Sequence, residues 1–300
     1  MSKHVVWTQW DDLEVPEGIT RLSPGNRPLD TSDLSDITFY VPSYMGGRTA
    51  LEFSKKMSSL QTLQMPNAGY DDAMEFVRPG ITLCNGKTIH DDSTAELAVG
   101  LTIASLRGFP DFVRNQDKSE WVHVKNKSIN DRKIGIIGFG SIGSTIAKML
   151  AGFSVEIIPF TQSGRDNTTV ISDLDKHLPS LDVVILILPL TKESKHLFDA
   201  KRLALMKDGA LLVNVARGPI VDTDALVKEL NSGRITAALD VTDPEPLPKD
   251  HPLWRAKGVL ISPHVGGNTT AFESRARRLI ESQLNLLANG KALDNIIIEK

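Results

Sequence analysis

The sequence predicts an α/β protein built from two doubly wound parallel-sheet lobes, and three observations lead there. Three hundred residues lie at the upper end of what one hydrophobic core supports. From Lys133 onward, six apolar runs, KIGIIGFG, SVEIIPF, VVILILPL, ALLVNVAR, TAALDV and GVLISPH, alternate with amphipathic stretches and end in Gly, Pro or polar residues. Short continuous apolar runs of this kind are strands buried on both faces of a parallel sheet and joined by crossover helices. The N-terminal third repeats the pattern more weakly in HVVW, ITFYVPS, LQTLQMPNA and ITLCNG, which reads as a second, smaller α/β lobe.

Two helices are expected to join the lobes. In STAELAVGLTIASLR, Ser93 and Glu96 have the spacing of a capping box, and apolar residues on every face imply packing on both sides. In TTAFESRARRLIESQLNLLANG, Thr270 and Glu273 repeat that spacing. Phe272, Ala276, Leu279, Ile280, Leu284 and Leu287 recur at helical period, and Gly290 is the stop. A last helix that returns the chain to the first lobe makes the smaller domain discontinuous. The expected division is 1–94 with 280–300 for the smaller domain and 95–279 for the larger.

Composition narrows the partners. Hydrophobic residues at 41% and charged residues at 24% are ordinary globular usage. With 34 Lys and Arg against 37 Asp and Glu, the net charge is -3 and no long run of one sign occurs. A small-molecule partner is therefore expected, with no nucleic acid, no membrane and no metal. The single cysteine, Cys84, excludes an intrachain disulfide, and the N-terminus lacks the pattern of a secretory signal, so a cytoplasmic location is expected.

Gly138, Gly140 and Gly143 form Gly-x-Gly-x-x-Gly between the apolar strand KIGII and the helical pattern SIGSTIAKML. A bare triplet also suits a tight turn with no ligand; strand before and helix after favour a Rossmann dinucleotide-binding domain. Gly138 then permits the turn, Gly140 lets the backbone approach a diphosphate, and Gly143 lets the helix lie against the strand. The diphosphate meets the helix N-terminus at Ser141 and Ile142. The acid expected about 20 residues on, which holds the ribose 2′-hydroxyl, is missing. Thr161 closes the second strand, followed by Gln162, Ser163, Gly164 and Arg165. Hydroxyls and a guanidinium in place of a carboxylate favour a 2′-phosphate, hence NADP(H), with NAD(H) possible. The bland alternative for Arg165 is a solvated loop residue.

Arg217, Glu245 and His264 follow the last three strand runs, at the carboxyl ends where open α/β sheets bind ligands. Carbonyl reduction needs a proton donor at oxygen while hydride reaches carbon, and histidine suits that near neutral pH. A neighbouring carboxylate stabilises the imidazolium, and a guanidinium binds a substrate carboxylate and polarises the carbonyl. Taken singly, each has a structural alternative: a packed histidine, a solvated turn glutamate, a paired arginine.

These motifs, with NVARG at 214–218, LDVTDPEPLP at 239–248 and SPHVGG at 262–267, resemble the D-isomer-specific 2-hydroxyacid dehydrogenases. Within that family, STAELAV, PFTQSGR and DVTDPEPLP are most similar to the glyoxylate/hydroxypyruvate reductases. The resemblance implies a flavodoxin-like substrate domain beside the Rossmann domain, a small 2-oxo or 2-hydroxy acid as substrate, and a homodimer with contacts near Ser93 and Trp121. It implies Arg217 on the substrate carboxylate and carbonyl, His264 as general acid or base, and Glu245 as its partner. Asp240 matches the acid facing the nicotinamide carboxamide. Thr94, Pro189, Ala216 and Gly266 match positions lining the nicotinamide half, and Ala68 and Gly69 match backbone amides that bind the substrate carboxylate.

Three departures qualify the match. Thr242 stands where many members have an aromatic, which argues against the phosphoglycerate-type subgroup. The segment between Trp121 and Gly138 is shorter than usual, and Glu245 in place of a glutamine disfavours formate oxidation. The alternatives are an NAD-dependent D-lactate or phosphoglycerate-type dehydrogenase and, from another class, a dinucleotide-sensing corepressor-like binding protein. Substrate selectivity is expected from loops at Ser43, Tyr44, Met45 and Tyr70.

Overall fold

The computed structural model describes residues 4–299; residues 1–3 and 300, at the ends of the expected smaller domain, lie outside the described residues. The chain opens with β1 (His4–Trp7), β2 (Ile19–Leu22), β3 (Phe39–Tyr40), α1 (Gly47–Glu52), β4 (Thr62–Gln64) and β5 (Thr82–Cys84). Then follow α2 (Asp91–Arg107), α3 (Phe109–Asp117), β6 (Lys133–Ile137), α4 (Ser141–Leu150), β7 (Glu156–Thr161), β8 (Thr169–Val170), α5 (Leu174–His177) and β9 (Val183–Leu186). The remainder is α6 (Ala200–Leu205), β10 (Leu211–Asn214), α7 (Thr223–Ser232), β11 (Thr236–Leu239), β12 (Val259–Ile261), α8 (Phe272–Ala288) and β13 (Ile296–Ile298).

The chain folds as two compact units, residues up to 90 with 270 onward, and residues 91–269. The smaller domain is discontinuous, but the crossings differ from the expected 94 and 280. Helix α8 stays whole because Phe272, Ala276, Ile280 and Leu284 pack with Val6, Leu13 and Phe39 as one apolar face. A boundary at 280 cuts that face in two.

In the larger unit seven strands lie in the order β12-β11-β10-β9-β6-β7-β8, every neighbouring pair parallel. The chain starts at the centre, runs outward through β7 and β8, and returns to the other side of β6, so the order reverses between β6 and β9. This is the Rossmann arrangement extended by β12, and its ligand site is the crevice at that reversal. Side chains alternate between two buried faces, which is why the strands read as unbroken apolar runs. Val183, Ile185, Leu211 and Val213 join α2 and α4 residues in one core, while Val184, Leu186 and Leu212 join Leu226 and Leu230 of α7 in the other.

The smaller unit has the order β13-β5-β4-β3-β1-β2. Strands β1 to β5 are parallel in the flavodoxin-like order, and β13 adds antiparallel to β5. Neither expected capping box forms. Helix α2 begins two residues before Ser93, whose hydroxyl meets Thr269 Oγ1 at 3.0 Å. Helix α8 begins after Ala271, with no side-chain cap.

Candidate active site

Gly138 and Gly140 sit between β6 and α4 and Gly143 in the first turn of α4, and their surroundings separate their roles. Gly138 has φ +102° and a Cβ there would stand 2.3 Å from the Ile187 carbonyl oxygen. A Cβ at Gly143 would stand 2.3 Å from the Gly138 oxygen, so the helix lies directly on the turn. At Gly140 nothing lies within 4 Å of the added carbon. The middle position alone is open, as close approach of a diphosphate requires. The first amides of α4 have no intrahelical acceptor, and no side chain caps them from Gly140. The Ser141 hydroxyl donates to the Asp91 carboxylate, so Ser141 and Ile142 offer backbone rather than side-chain donors. The turn therefore fits a dinucleotide.

The loop after β7 partly corrects the sequence reading. Thr168 Oγ1 donates to the Arg165 carbonyl at 2.5 Å and lies 2.6 Å from Thr161 Oγ1. Since Thr168 has one hydroxyl proton, Thr161 is the donor in that pair. Thr161 Oγ1 also accepts from the Gly164 N–H at 3.0 Å. The donation expected from Thr161 to a 2′-phosphate goes to Thr168 in this arrangement, and Thr161 shapes the loop. Ser163 and Arg165 remain exposed, with Arg165 Nε 3.8 Å from Asp166 Oδ2, an acid that counting from the fingerprint did not single out.

Arg217 follows β10, Glu245 lies in the loop after β11, and His264 follows β12, all at carboxyl ends of parallel strands. Asn214 accepts from the Ala216 N–H and donates to the Arg217 carbonyl, each at 3.0 Å, which forms the turn that carries the guanidinium. A Cβ at Gly218 would lie 1.9 Å from the Thr242 carbonyl oxygen, so the Arg217 and Glu245 loops meet backbone to backbone. Thr242, the departure noted in the sequence, is buried and donates to the Pro244 carbonyl at 2.9 Å, bracing the Glu245 loop.

His264 Nδ1 and Glu245 Oε1 are 2.5 Å apart. The hydrogen bond to Glu245 raises the His264 pKa above its ordinary value, against partial burial and the Arg217 charge. Burial lifts the Glu245 carboxyl, but the hydrogen bond and charge of His264 outweigh it and leave the group below the usual carboxylate range. The pair therefore favours imidazolium beside carboxylate. His264 itself has φ +52°, outside the region most residues adopt. What holds it there is Asp240, 3% exposed. Its Oδ1 accepts from Ser262 Oγ at 2.6 Å and Val265 N–H at 2.9 Å, its Oδ2 from Gly266 N–H at 2.9 Å, and its carbonyl from His264 N–H at 2.8 Å. Sequence reasoning assigned Asp240 to the nicotinamide and missed this anchoring role.

Thr94 and Gly266 do come together with Asp240: a Cβ at Gly266 would meet Asp240 Oδ2 at 3.1 Å and Thr94 Cγ2 at 3.4 Å. Ala216 lies buried on the Arg217 turn, and Pro189 follows β9, its carbonyl taken by Ser194 Oγ at 2.8 Å. In the smaller unit, Ala68 and Gly69 follow β4 on a loop where the Asn67, Ala68 and Gly69 carbonyls each accept a hydrogen bond. Tyr44 stacks on Phe272 with centroids 3.6 Å apart, while Met45 is exposed.

An open glycine turn at the reversal of a parallel sheet, with a charged acid–base pair further along the same edge, defines a dinucleotide-dependent oxidoreductase. The model of the D-isomer specific 2-hydroxyacid dehydrogenase NAD binding domain matches residues 99–266. A glyoxylate reductase of Thermofilum pendens is 36% identical over 245 residues, 77% of this chain and 72% of that protein. The chain belongs to the D-isomer-specific 2-hydroxyacid dehydrogenase family, whose members are NAD(P)-dependent oxidoreductases. Two solved structures share its fold over nearly their whole length. One is a D-isomer specific 2-hydroxyacid dehydrogenase family protein of Aeromonas salmonicida, with TM-score 0.87, 24% identity and 99% of each chain covered. The other is an NADPH-dependent glyoxylate/hydroxypyruvate reductase of Sinorhizobium meliloti in complex with NADP and sulfate, with TM-score 0.83, 22% identity and 98% of each chain covered.

Proposed function

We propose that the protein reduces small 2-oxo acids of the glyoxylate or hydroxypyruvate type with NADP(H). The observation that carries this reading is the His264–Glu245 pair at 2.5 Å, with Arg217 close enough to influence both groups. A bound nicotinamide dinucleotide supplies the hydride. His264, held protonated by Glu245, gives its proton to the carbonyl oxygen. Arg217 and the Ala68 and Gly69 amides are the donors for the substrate carboxylate, and the guanidinium polarises the carbonyl. The substrate class is supported by the relative named glyoxylate reductase. Coenzyme choice is supported by the exposed Ser163 and Arg165 beside a position without an acid. Thr94, Pro189, Ala216, Asp240 and Gly266 are proposed to line the nicotinamide half.

A homodimer is part of this proposal, supported by helix α3, which buries no residue, and by the segment after it. Phe109, Phe112, Val113, Val122 and Val124 are exposed there, and Trp121 is 98% exposed. Such a run of exposed apolar side chains is typical of an interface. A cytoplasmic location is proposed from the lone, buried Cys84; no helix among the described residues is long and apolar enough to cross a membrane.

A second reading, use of NADH, is favoured by the exposed Asp166 carboxylate beside Arg165 and by the inward-turned Thr161 hydroxyl. Coenzyme oxidation measured with NADPH and NADH across glyoxylate, hydroxypyruvate, pyruvate and glycolaldehyde tests both readings. Turnover of the acids with NADPH supports the first, and equal rates with NADH support the second. Comparable turnover of the uncharged aldehyde removes the carboxylate-binding role.

A further inference from the structure

The loop at 67–69 is held by hydrogen bonds of one kind. Gly86 N–H donates to the Asn67 carbonyl at 2.7 Å, and Asn85 Nδ2 donates to the Ala68 carbonyl at 2.7 Å. Asn67 Nδ2 donates to the Gly69 carbonyl at 2.8 Å. In a trans peptide the carbonyl and the following N–H point in opposite directions. Fixing the Asn67 and Ala68 carbonyls toward residues 85 and 86 therefore turns the Ala68 and Gly69 N–H groups the other way. Neither donates a hydrogen bond among the described residues. Two consecutive free N–H groups held to one side make an anion-binding concavity.

Asn85 is the side chain that sets the second of these peptides. It is 7% exposed, and its backbone is pinned by Asn295 O at 3.1 Å and by Gln64 Nε2 at 3.1 Å. Gln64 is held in turn by Gln283 Nε2 at 2.7 Å. The Asn85 Oδ1 atom is buried with no partner among the described residues. Leaving a buried acceptor unmatched costs about 1–3 kcal/mol, which packing alone would not require. The engaged end of the amide is its nitrogen, on the Ala68 carbonyl.

We propose that Asn85 is a positioning residue for substrate binding, locking the Ala68–Gly69 peptide so that its N–H faces the substrate carboxylate. This rests on the 2-oxo acid reading given above. Because the amides hold the carboxylate equally in ground state and transition state, their loss appears in KM and spares kcat.

The test is steady-state kinetics of Asn85→Ala and Asn85→Ser with glyoxylate, beside NADPH binding by fluorescence. The expected result for Asn85→Ala is a KM raised about 10- to 100-fold, with kcat changed by less than about threefold and NADPH affinity unchanged. Asn85→Ser, which keeps a donor of shorter reach, falls between the two. An unchanged KM overturns the proposal, and so does a joint loss of kcat, KM and NADPH affinity, the mark of a loosened fold. If wild-type protein turns over no 2-oxo acid, the functional reading fails instead. Acetate titrated against the amide NMR signals then decides the positioning role: Ala68 and Gly69 shift in wild type and not in Asn85→Ala. Equal shifts in both, or none in wild type, overturn it.

Discussion

Two loops in this molecule are anchored by opposite chemistries, one in each unit. The loop after β12 is held by an acceptor: the Asp240 carboxylate takes the N–H groups of Val265 and Gly266 and the Ser262 hydroxyl. The loop after β4 is held by donors, Gly86 N–H and the Asn85 and Asn67 amides, which take its carbonyls. An acceptor anchor engages backbone donors, so the first loop has a side chain left to present, the imidazole of His264. A donor anchor engages backbone acceptors, so the second presents its own N–H groups. The choice between Asp and Asn beneath a loop thus decides whether that loop offers a side chain or a backbone cradle.

Removing what the first loop presents gives the largest expected effect. His264→Ala should lower kcat by about 10²- to 10⁴-fold while NADPH binding persists, because a general acid is lost and the contacts at the glycine turn are not. Stopped-flow binding beside turnover separates the two, and near-normal turnover would end the assignment. Asp240→Asn reverses the anchor's chemistry, setting an amide donor among the N–H groups of Val265 and Gly266. Hydrogen bonds to a charged group contribute about 1.5–3 kcal/mol each, so a fall in kcat of about 10- to 100-fold is expected. A kcat within twofold of wild type would show that His264 is held without the carboxylate. The donor-anchored loop is tested by Gly86→Ala, whose Cβ would stand 2.8 Å from Asn67 N and 2.9 Å from Pro66 C. Backbone must move to admit it, so KM for the 2-oxo acid should rise about tenfold and thermal stability fall by about 1–3 kcal/mol. The loop after β7 is anchored through Thr161 and Thr168 hydroxyls and presents Arg165. Arg165→Ala should lower the NADPH-to-NADH ratio of kcat/KM by about tenfold, and an unchanged ratio returns Arg165 to the solvent.

The larger unit was the more legible of the two because its central strands are buried on both faces. Leu211–Asn214 and Val183–Leu186 are buried at every position, and Leu211–Val213 and Val183–Leu186 read as unbroken apolar runs. The strands absent from the sequence reading, β2, β8 and β13, all lie at sheet edges, where pairing on one side and partial exposure leave only two to four residues of mixed pattern. The glycine fingerprint was legible residue by residue because Gly138 and Gly143 answer local steric demands and Gly140 leaves the turn open between them. Arg217, Glu245 and His264 were legible from their places after strands. Their supports were not: nothing local to Asp240, Asn85 or Thr168 tells which distant atoms they bond. The expected capping boxes failed for the same reason, since the spacing of Ser93 and Glu96 says nothing of Thr269, the partner Ser93 takes.

The most direct test of the account is the pH dependence of reduction in wild type and Glu245→Gln. Reduction needs His264 protonated, and its raised pKa keeps it so to higher pH than an ordinary histidine allows. Activity in wild type should therefore persist beyond the usual histidine range before falling as pH rises. In Glu245→Gln the principal cause of the raised pKa is gone, and the falling limb should move toward acid. Superimposable profiles would contradict the pairing of Glu245 with His264 and, with it, the assignment of the proton donor.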